Sequence, residues 1–430
     1  MTQSKHNALL LVLGVIFVWT NPSCFADNVD KLFLSQAVSN PQSPLQRPKL
    51  EVAEWIALGD SYASGVGGGE LLEDRRCLRF NDAYPIQMQS DDRLLEPIAA
   101  RKFTNAACSG ATTQDVLDWQ LLDSEDSQLM YGSRPAFGTP QFATITIGGD
   151  DMDFFDLVNN CIYEFIPTRP CQEQLNHSLQ LLHSPNFTKG LDTALARIIE
   201  KGRKAQGSSF KLYVTGYSRF FNDDTDRCSN ETWSVWSGWP GSQPRLTKEL
   251  RKTLNNMADD LNQAVSNAAL RAQDHGVVLV PWSDETHGNR GCEERSLDAG
   301  NEDTNAWYYQ LTSHDSDTEK GESIRHTIAR IIDPLVKDAN EFVKKHHEEN
   351  DRSPVEINPN ITTYQDFRHA LSDAHNWGDQ DGEKQNALIQ IVRVFHPKTQ
   401  WQNLIARKIL HEVKKSGFKS MIDSPPLDNA

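Results

Sequence analysis

The sequence predicts an α/β protein in which a parallel sheet carries helices on both faces. Two observations lead there. Five short apolar runs, at 54–58, 102–105, 144–147, 210–215 and 277–281, alternate with stretches of helical periodicity, the pattern of parallel strands joined by crossovers. Three of the runs end in small-residue turns, Gly59-Asp60-Ser61, Cys108-Ser109-Gly110-Ala111 and Gly148-Gly149-Asp150. In open α/β sheets the carboxyl ends of the strands are where ligands bind.

Taken in order, residues 1–26 read as a signal peptide, with Lys5 ahead of the apolar stretch Ala8 to Trp19 and a small residue, Ala26, at the cleavage point. That stretch is short for a membrane span. Residues 27–50, with Pro41, Pro44 and Pro48, form an extended leader, and 51–420 form one domain before a polar tail at 421–430. Gly190 to Lys204 repeats apolar residues at helical spacing, as does Leu246 to Ala272 with its stripe Leu250, Leu254, Met257, Leu261 and Val265. An insertion at about 300–390 begins charged and loop-like, continues as a helix from Lys320 to Lys345, and passes a proline-bearing linker, Glu348–Asn360. Ile389–Val394 reads as a strand or edge segment, and Trp401 to Lys415 as an amphipathic helix.

The formal net charge of -16 argues against nucleic acid and anionic membranes as partners. A monomer without a stable membrane span is expected. After Cys24 the cysteines are Cys77, Cys108, Cys161, Cys171, Cys228 and Cys292, an even set suited to an exported, disulfide-bonded chain. Sequential pairing is the simplest arrangement. Sequons at Asn176, Asn186, Asn230 and Asn360 fit a secreted glycoprotein. The acidic residues Asp151, Asp153, Asp156, Asp223, Asp224 and Asp226 lack the register of a calcium loop and read as solvated, so no metal is expected. Trp233, Trp236, Trp239 and Trp282 read as aromatics packed under a loop, with a sugar platform as the rival. Ser218 lies in Gly216-Tyr217-Ser218-Arg219-Phe220, where Phe220 replaces the second glycine of a nucleophile elbow, so it reads as structural.

A serine at a strand-end turn is a nucleophile if a base and oxyanion donors converge on it. Ser61 is that serine. His396, in Phe395-His396-Pro397 just before the last helix, is the candidate base, with His314 beside Asp315 as the weaker alternative.

Together, Gly59-Asp60-Ser61-Tyr62-Ala63-Ser64-Gly65, Ala107-Cys108-Ser109-Gly110-Ala111-Thr112-Thr113, Ile147-Gly148-Gly149-Asp150-Asp151 and Phe395-His396-Pro397-Lys398 resemble the SGNH (GDSL) hydrolases. The secreted, disulfide-bearing esterase branch of fungi and actinomycetes is similar also at Val214-Thr215-Gly216-Tyr217 and His287-Gly288-Asn289-Arg290-Gly291-Cys292-Glu293. The resemblance implies a three-layer, flavodoxin-like fold with five parallel strands in the order 2-1-3-4-5. It implies hydrolysis of carboxylic esters through an acyl-serine, without cofactor. Small-acyl or glycan-linked esters are the favoured substrates, with lipase or phospholipase activity, or a weakened binding protein on this fold, as alternatives.

Residue by residue, Ser61 matches the nucleophile and, through its N–H, one oxyanion donor. Gly110 matches the second donor and His396 the base. Asp150 stands where the family has an asparagine as third donor. Ionised, an aspartate only accepts hydrogen bonds, so it donates only when protonated. Three residues before the histidine the family often has an aspartate, and here Arg393 stands there. Its backbone carbonyl is then expected to orient the imidazole. Asp373, Asp379, Asp381 and Glu383 lie upstream without an assigned place.

Overall fold

The computed structural model describes residues 52–72, 77–91, 101–124, 135–165, 169–234, 243–294, 306–310 and 391–416. The leader, most of the insertion, His314, Asn360, Trp236, Trp239 and the acidic residues between 373 and 383 lie outside them.

Five strands form one sheet in the order β2-β1-β3-β4-β5. They are β1 (Glu54–Gly59), β2 (Lys102–Asn105), β3 (Phe142–Thr146), β4 (Lys211–Thr215) and β5 (Val277–Val280). Every pairing is parallel. β1 and β3 are the middle of the sheet, and β3 is buried at every position, as a strand covered on both faces must be. The strand order reverses between β1 and β3, which opens a crevice at their carboxyl ends.

Helices α1 (Ser61–Ser64) and α2 (Tyr84–Gln89) follow β1. Then come α3 (Phe154–Val158), α4 (Cys171–Leu182), α5 (Pro185–Gln206), α6 (Lys248–Arg271) and α7 (Thr399–Lys415). The long helices start where capping chemistry allows. Ser184 accepts from the Phe187 N–H ahead of Pro185, and Thr247 accepts from the Leu250 N–H. The stripe Leu254, Met257, Leu261 and Val265 of α6 is buried, each side chain contributing ~1.5–3 kcal/mol. α5 and α6 pack on each other and on β4 and β5, while α7 packs on α2 and reaches the same strands.

The six cysteines pair sequentially, as Cys77–Cys108, Cys161–Cys171 and Cys228–Cys292. Each bridge lies in a segment that follows a strand. One expectation needs correction. Residues 391–394 are helix and turn, and no strand forms there. This segment packs Ile391, Val392 and Val394 into the core, and a turn buries three such neighbours where a strand would alternate them. Trp233 and Trp282 are buried, 1% and 2% exposed. The Trp282 indole donates to the Gly216 carbonyl, so neither offers a surface for sugars. Among the described residues, no helix is long and apolar enough to cross a membrane.

Candidate active site

The first turn is fixed by its glycine. Gly59 ends β1 at φ 118°, and a Cβ there would stand 2.1 Å from the Thr146 carbonyl oxygen of β3. No other residue fits against that backbone. The chain then bends so that the Asp60 N–H donates to the same Thr146 oxygen at 3.0 Å. The Asp60 carboxylate accepts from the Tyr62 N–H at 3.0 Å and caps α1. Ser61 is the first residue of that helix, 9% exposed.

The second turn is tied to the first. The Cys108 N–H donates to the Gly59 carbonyl at 2.9 Å, and the Gln120 side chain bonds both the N–H and the carbonyl of Gly59. The disulfide to Cys77 and the Arg79 guanidinium, which donates to the Ala107 carbonyl at 2.8 Å, hold the other side. Gly110 follows in the left-handed region, φ 79°, which lets the chain double back.

The third turn is bound through Tyr217, just beyond β4. Its hydroxyl donates to the Asp60 carboxylate and accepts from the Gly149 N–H at 2.9 Å. Asp150 opens the short helical turn Asp150–Met152, and its charge reaches the Tyr217 hydroxyl. Asp151 faces the second turn, accepting from the Thr113 hydroxyl at 2.6 Å and from its N–H. Asp153 bonds His177 at 3.0 Å. Those two acids of the acidic run are therefore engaged in hydrogen bonds, and among the described residues no cluster could hold a metal ion.

Burial governs the acids here. It pushes the Asp60 carboxyl up to about 7, against the Tyr217 hydrogen bond, and the Asp151 carboxyl up to about 6, against Thr113. It raises the Tyr62 and Tyr217 hydroxyls as well, so both stay protonated.

His396 is 5% exposed and reaches the site from the far end of the chain. Its ring Nδ1 is 3.1 Å from the Val394 carbonyl. Sequence reasoning named Arg393, whose carbonyl accepts the His396 backbone N–H at 3.0 Å and also favours the protonated ring. The ring's own hydrogen bond goes to Val394, because the turn places that carbonyl beside Nδ1. A carbonyl only accepts, so the proton is on Nδ1 and Nε2 keeps its lone pair. Burial pulls the imidazole down to about 4, against both carbonyls. The link to the first turn is Tyr62, which donates from its hydroxyl to the Phe395 carbonyl at 3.0 Å while its ring lies 5.7 Å from the imidazole.

Beside these turns lies an apolar pocket walled by Met152, Phe154, Leu157, Leu254, Met257 and Ala258, among others. Its remaining walls include Gly149, Tyr217 and Phe395. Gly149 precedes Asp150, Tyr217 bonds Asp60, and Phe395 precedes His396. The free volume is about 30 Å³, room for about two waters.

Ser61, Gly110, Asp150 and His396 thus belong to turns at one edge of the sheet, linked by Gln120, Tyr217 and Tyr62. Sequence reasoning missed those three linking residues. Tyr62 is adjacent to the serine and Tyr217 follows a strand, but neither spacing signals a bond to a distant loop.

No family model matches the chain. It is similar to a lipase of Streptomyces rimosus, 26% identical over 257 residues, which are 60% of this chain and 80% of that protein. It is similar to Lipase 1 of Streptomyces coelicolor, 28% identical over 226 residues, 52% of this chain and 68% of that protein. Among solved structures it is similar to phospholipase A1 from Streptomyces albidoflavus NA297, at 25% identity and a TM-score of 0.43, covering 63% of this chain and 91% of that one.

Proposed function

We propose, from the premise that this chain is an ester-hydrolysing SGNH (GDSL) hydrolase related to Streptomyces lipases, that it is a secreted acyl hydrolase working through an acyl-Ser61. The observation that carries the substrate reading is the apolar pocket, whose wall includes Gly149 and Phe395, the neighbours of Asp150 and His396, and Tyr217, which bonds Asp60. Such a lining takes an acyl chain and excludes polar groups. At about 30 Å³ the pocket is nearly closed. A chain enters by displacing Met152 and Met257, whose unbranched side chains move at little cost.

In the reaction, His396 Nε2 takes the Ser61 hydroxyl proton as Oγ bonds the ester carbonyl carbon. The backbone N–H groups of Ser61 and Gly110 hold the oxyanion. The carbon–oxygen bond to the alcohol breaks, and His396 returns its proton to the leaving oxygen. Water then attacks the acyl-serine, His396 accepts its proton, and Ser61 regains it as the acid departs. Protonated Asp150 supplies a third donor, while ionised it opposes the oxyanion. The Val394 carbonyl keeps the imidazole oriented and stabilises it when charged. Export is supported by the three disulfides, which persist in oxidising compartments, and by the leader. The single domain at 51–420 with its insertion belongs to this reading, as does glycosylation at the exposed Asn176, Asn186 and Asn230.

A second reading, short-acyl or glycan-linked esters, is favoured by the small free volume. Hydrolysis of p-nitrophenyl esters from acetate to dodecanoate, at pH 4 to 9 and beside Ser61→Ala, decides. The expected result is turnover abolished by Ser61→Ala, with kcat/KM rising with chain length. A maximum at acetate selects the second reading. Turnover that survives Ser61→Ala removes the mechanism.

A further inference from the structure

We infer that the segment Ala306–Gln310, with Tyr309 at its centre, is a positioning strap that holds His396 at the active site. This rests on His396 being the base.

His396 stands in an unfavourable piece of backbone. Phe395 before it has φ 61°, the left-handed region that a bulky side chain avoids. Such a residue stays there only when its surroundings over-determine it. Tyr309 does this with both of its backbone groups. Its carbonyl accepts from the Phe395 N–H at 2.7 Å, and its N–H donates to the His396 carbonyl at 2.8 Å. The two bonds bracket the peptide unit that joins Phe395 to His396. The Tyr62 hydroxyl holds the same unit from the Ser61 side.

The strap is itself anchored at both flanks. The Trp307 N–H donates to the Asn289 carbonyl at 2.9 Å, and its carbonyl accepts from the Lys398 N–H at 2.8 Å. Tyr308 pairs with Pro397 as an antiparallel bridge and stacks on the Phe395 ring at 4.9 Å. The Arg393 guanidinium lies 4.8 Å over the Tyr309 ring. Ala306, Tyr308, Tyr309 and Gln310 are fully buried. The base is therefore set between the nucleophile's own neighbour and a segment drawn from the insertion. In that acidic stretch the run Ala306-Trp307-Tyr308-Tyr309 stands out as apolar and aromatic.

The test uses the full chain and four variants, with kcat, KM and the acid limb of kcat/KM read beside thermal midpoints. Tyr309→Pro removes the N–H that donates to His396, Tyr309→Gly keeps the bonds but loosens the strap, and Tyr309→Phe is the conservative rescue. His396→Ala checks the underlying reading. The expected result is a kcat loss of about tenfold or more in Tyr309→Pro and about fivefold in Tyr309→Gly. KM should stay within about twofold, and Tyr309→Phe should restore kcat. Admitting water to the imidazole, which burial holds low, should also move the acid limb of kcat/KM upward toward the ordinary histidine range. If Tyr309→Pro does not fold, Tyr309→Gly decides alone. A folded Tyr309→Gly with unchanged kcat and acid limb overturns the strap. Activity that survives His396→Ala instead overturns the base assignment beneath it.

Discussion

At the scale of single residues, Asp150 is where this chain departs in chemistry from the SGNH hydrolases it resembles. An asparagine there donates to an oxyanion at any pH, whereas an ionised aspartate brings a negative charge to the same place. Deleting one such donor costs about 10²–10³ in rate. Asp150→Asn is therefore expected to raise kcat at neutral pH by about tenfold or more. Equal activity of the two proteins there would mean that Asp150 does not face the oxyanion. The turns that carry Ser61, Gly110, Asp150 and His396 were legible as short motifs, because each needs a particular backbone. Tyr217 and Tyr62 were not, since their work is to bond loops that are 157 and 333 residues away in sequence. The Arg393 carbonyl was readable from its place before the histidine and favours the charged ring, while only the path of the turn shows that the Val394 carbonyl also reaches Nδ1.

At the scale of elements, α6 is both scaffold and pocket wall. Its apolar stripe buries Leu254, Met257, Ala258 and Leu261, and those same four line the pocket. Ala258 is the small residue among them. Ala258→Phe fills the pocket, at an overpacking cost of about 1–3 kcal/mol. The ratio of kcat/KM for dodecanoate over acetate is expected to fall about tenfold or more, as one methylene in an apolar site is worth roughly tenfold or more. A ratio that does not move would place the acyl chain elsewhere. The strands and long helices were readable to within a few residues, because periodicity and caps are local. The segment after residue 389 was misread, because a short apolar run does not say whether its neighbours alternate or crowd together.

At the scale of the whole molecule, burial at the site sets how stability follows pH. Asp60 and Asp151 ionise near 7 and 6 in the fold, above the free value of 3.8. Between the two values the folded state keeps protons that the unfolded chain has released, so stability falls as pH rises. His396 works the other way, since its folded value near 4 lies below 6.5 and its contribution is lost as pH falls. Two carboxyls oppose one imidazole from about pH 4 to 6, Asp60 opposes it to about 6.5, and Asp60 acts alone from there to about 7. Urea midpoints at pH 4, 5.5 and 7 should show Asp60→Asn gaining on the parent protein as pH rises. Parallel curves would remove Asp60 from the account. The three disulfides have a consequence of a different kind. Among the described residues each bridge joins two cysteines consecutive in the chain, so the correct partner of Cys77, Cys161 or Cys228 is the next cysteine to emerge. Bridges made in the order of emergence are already the native ones, so wherever the chain meets an oxidant it needs no isomerase to re-sort them.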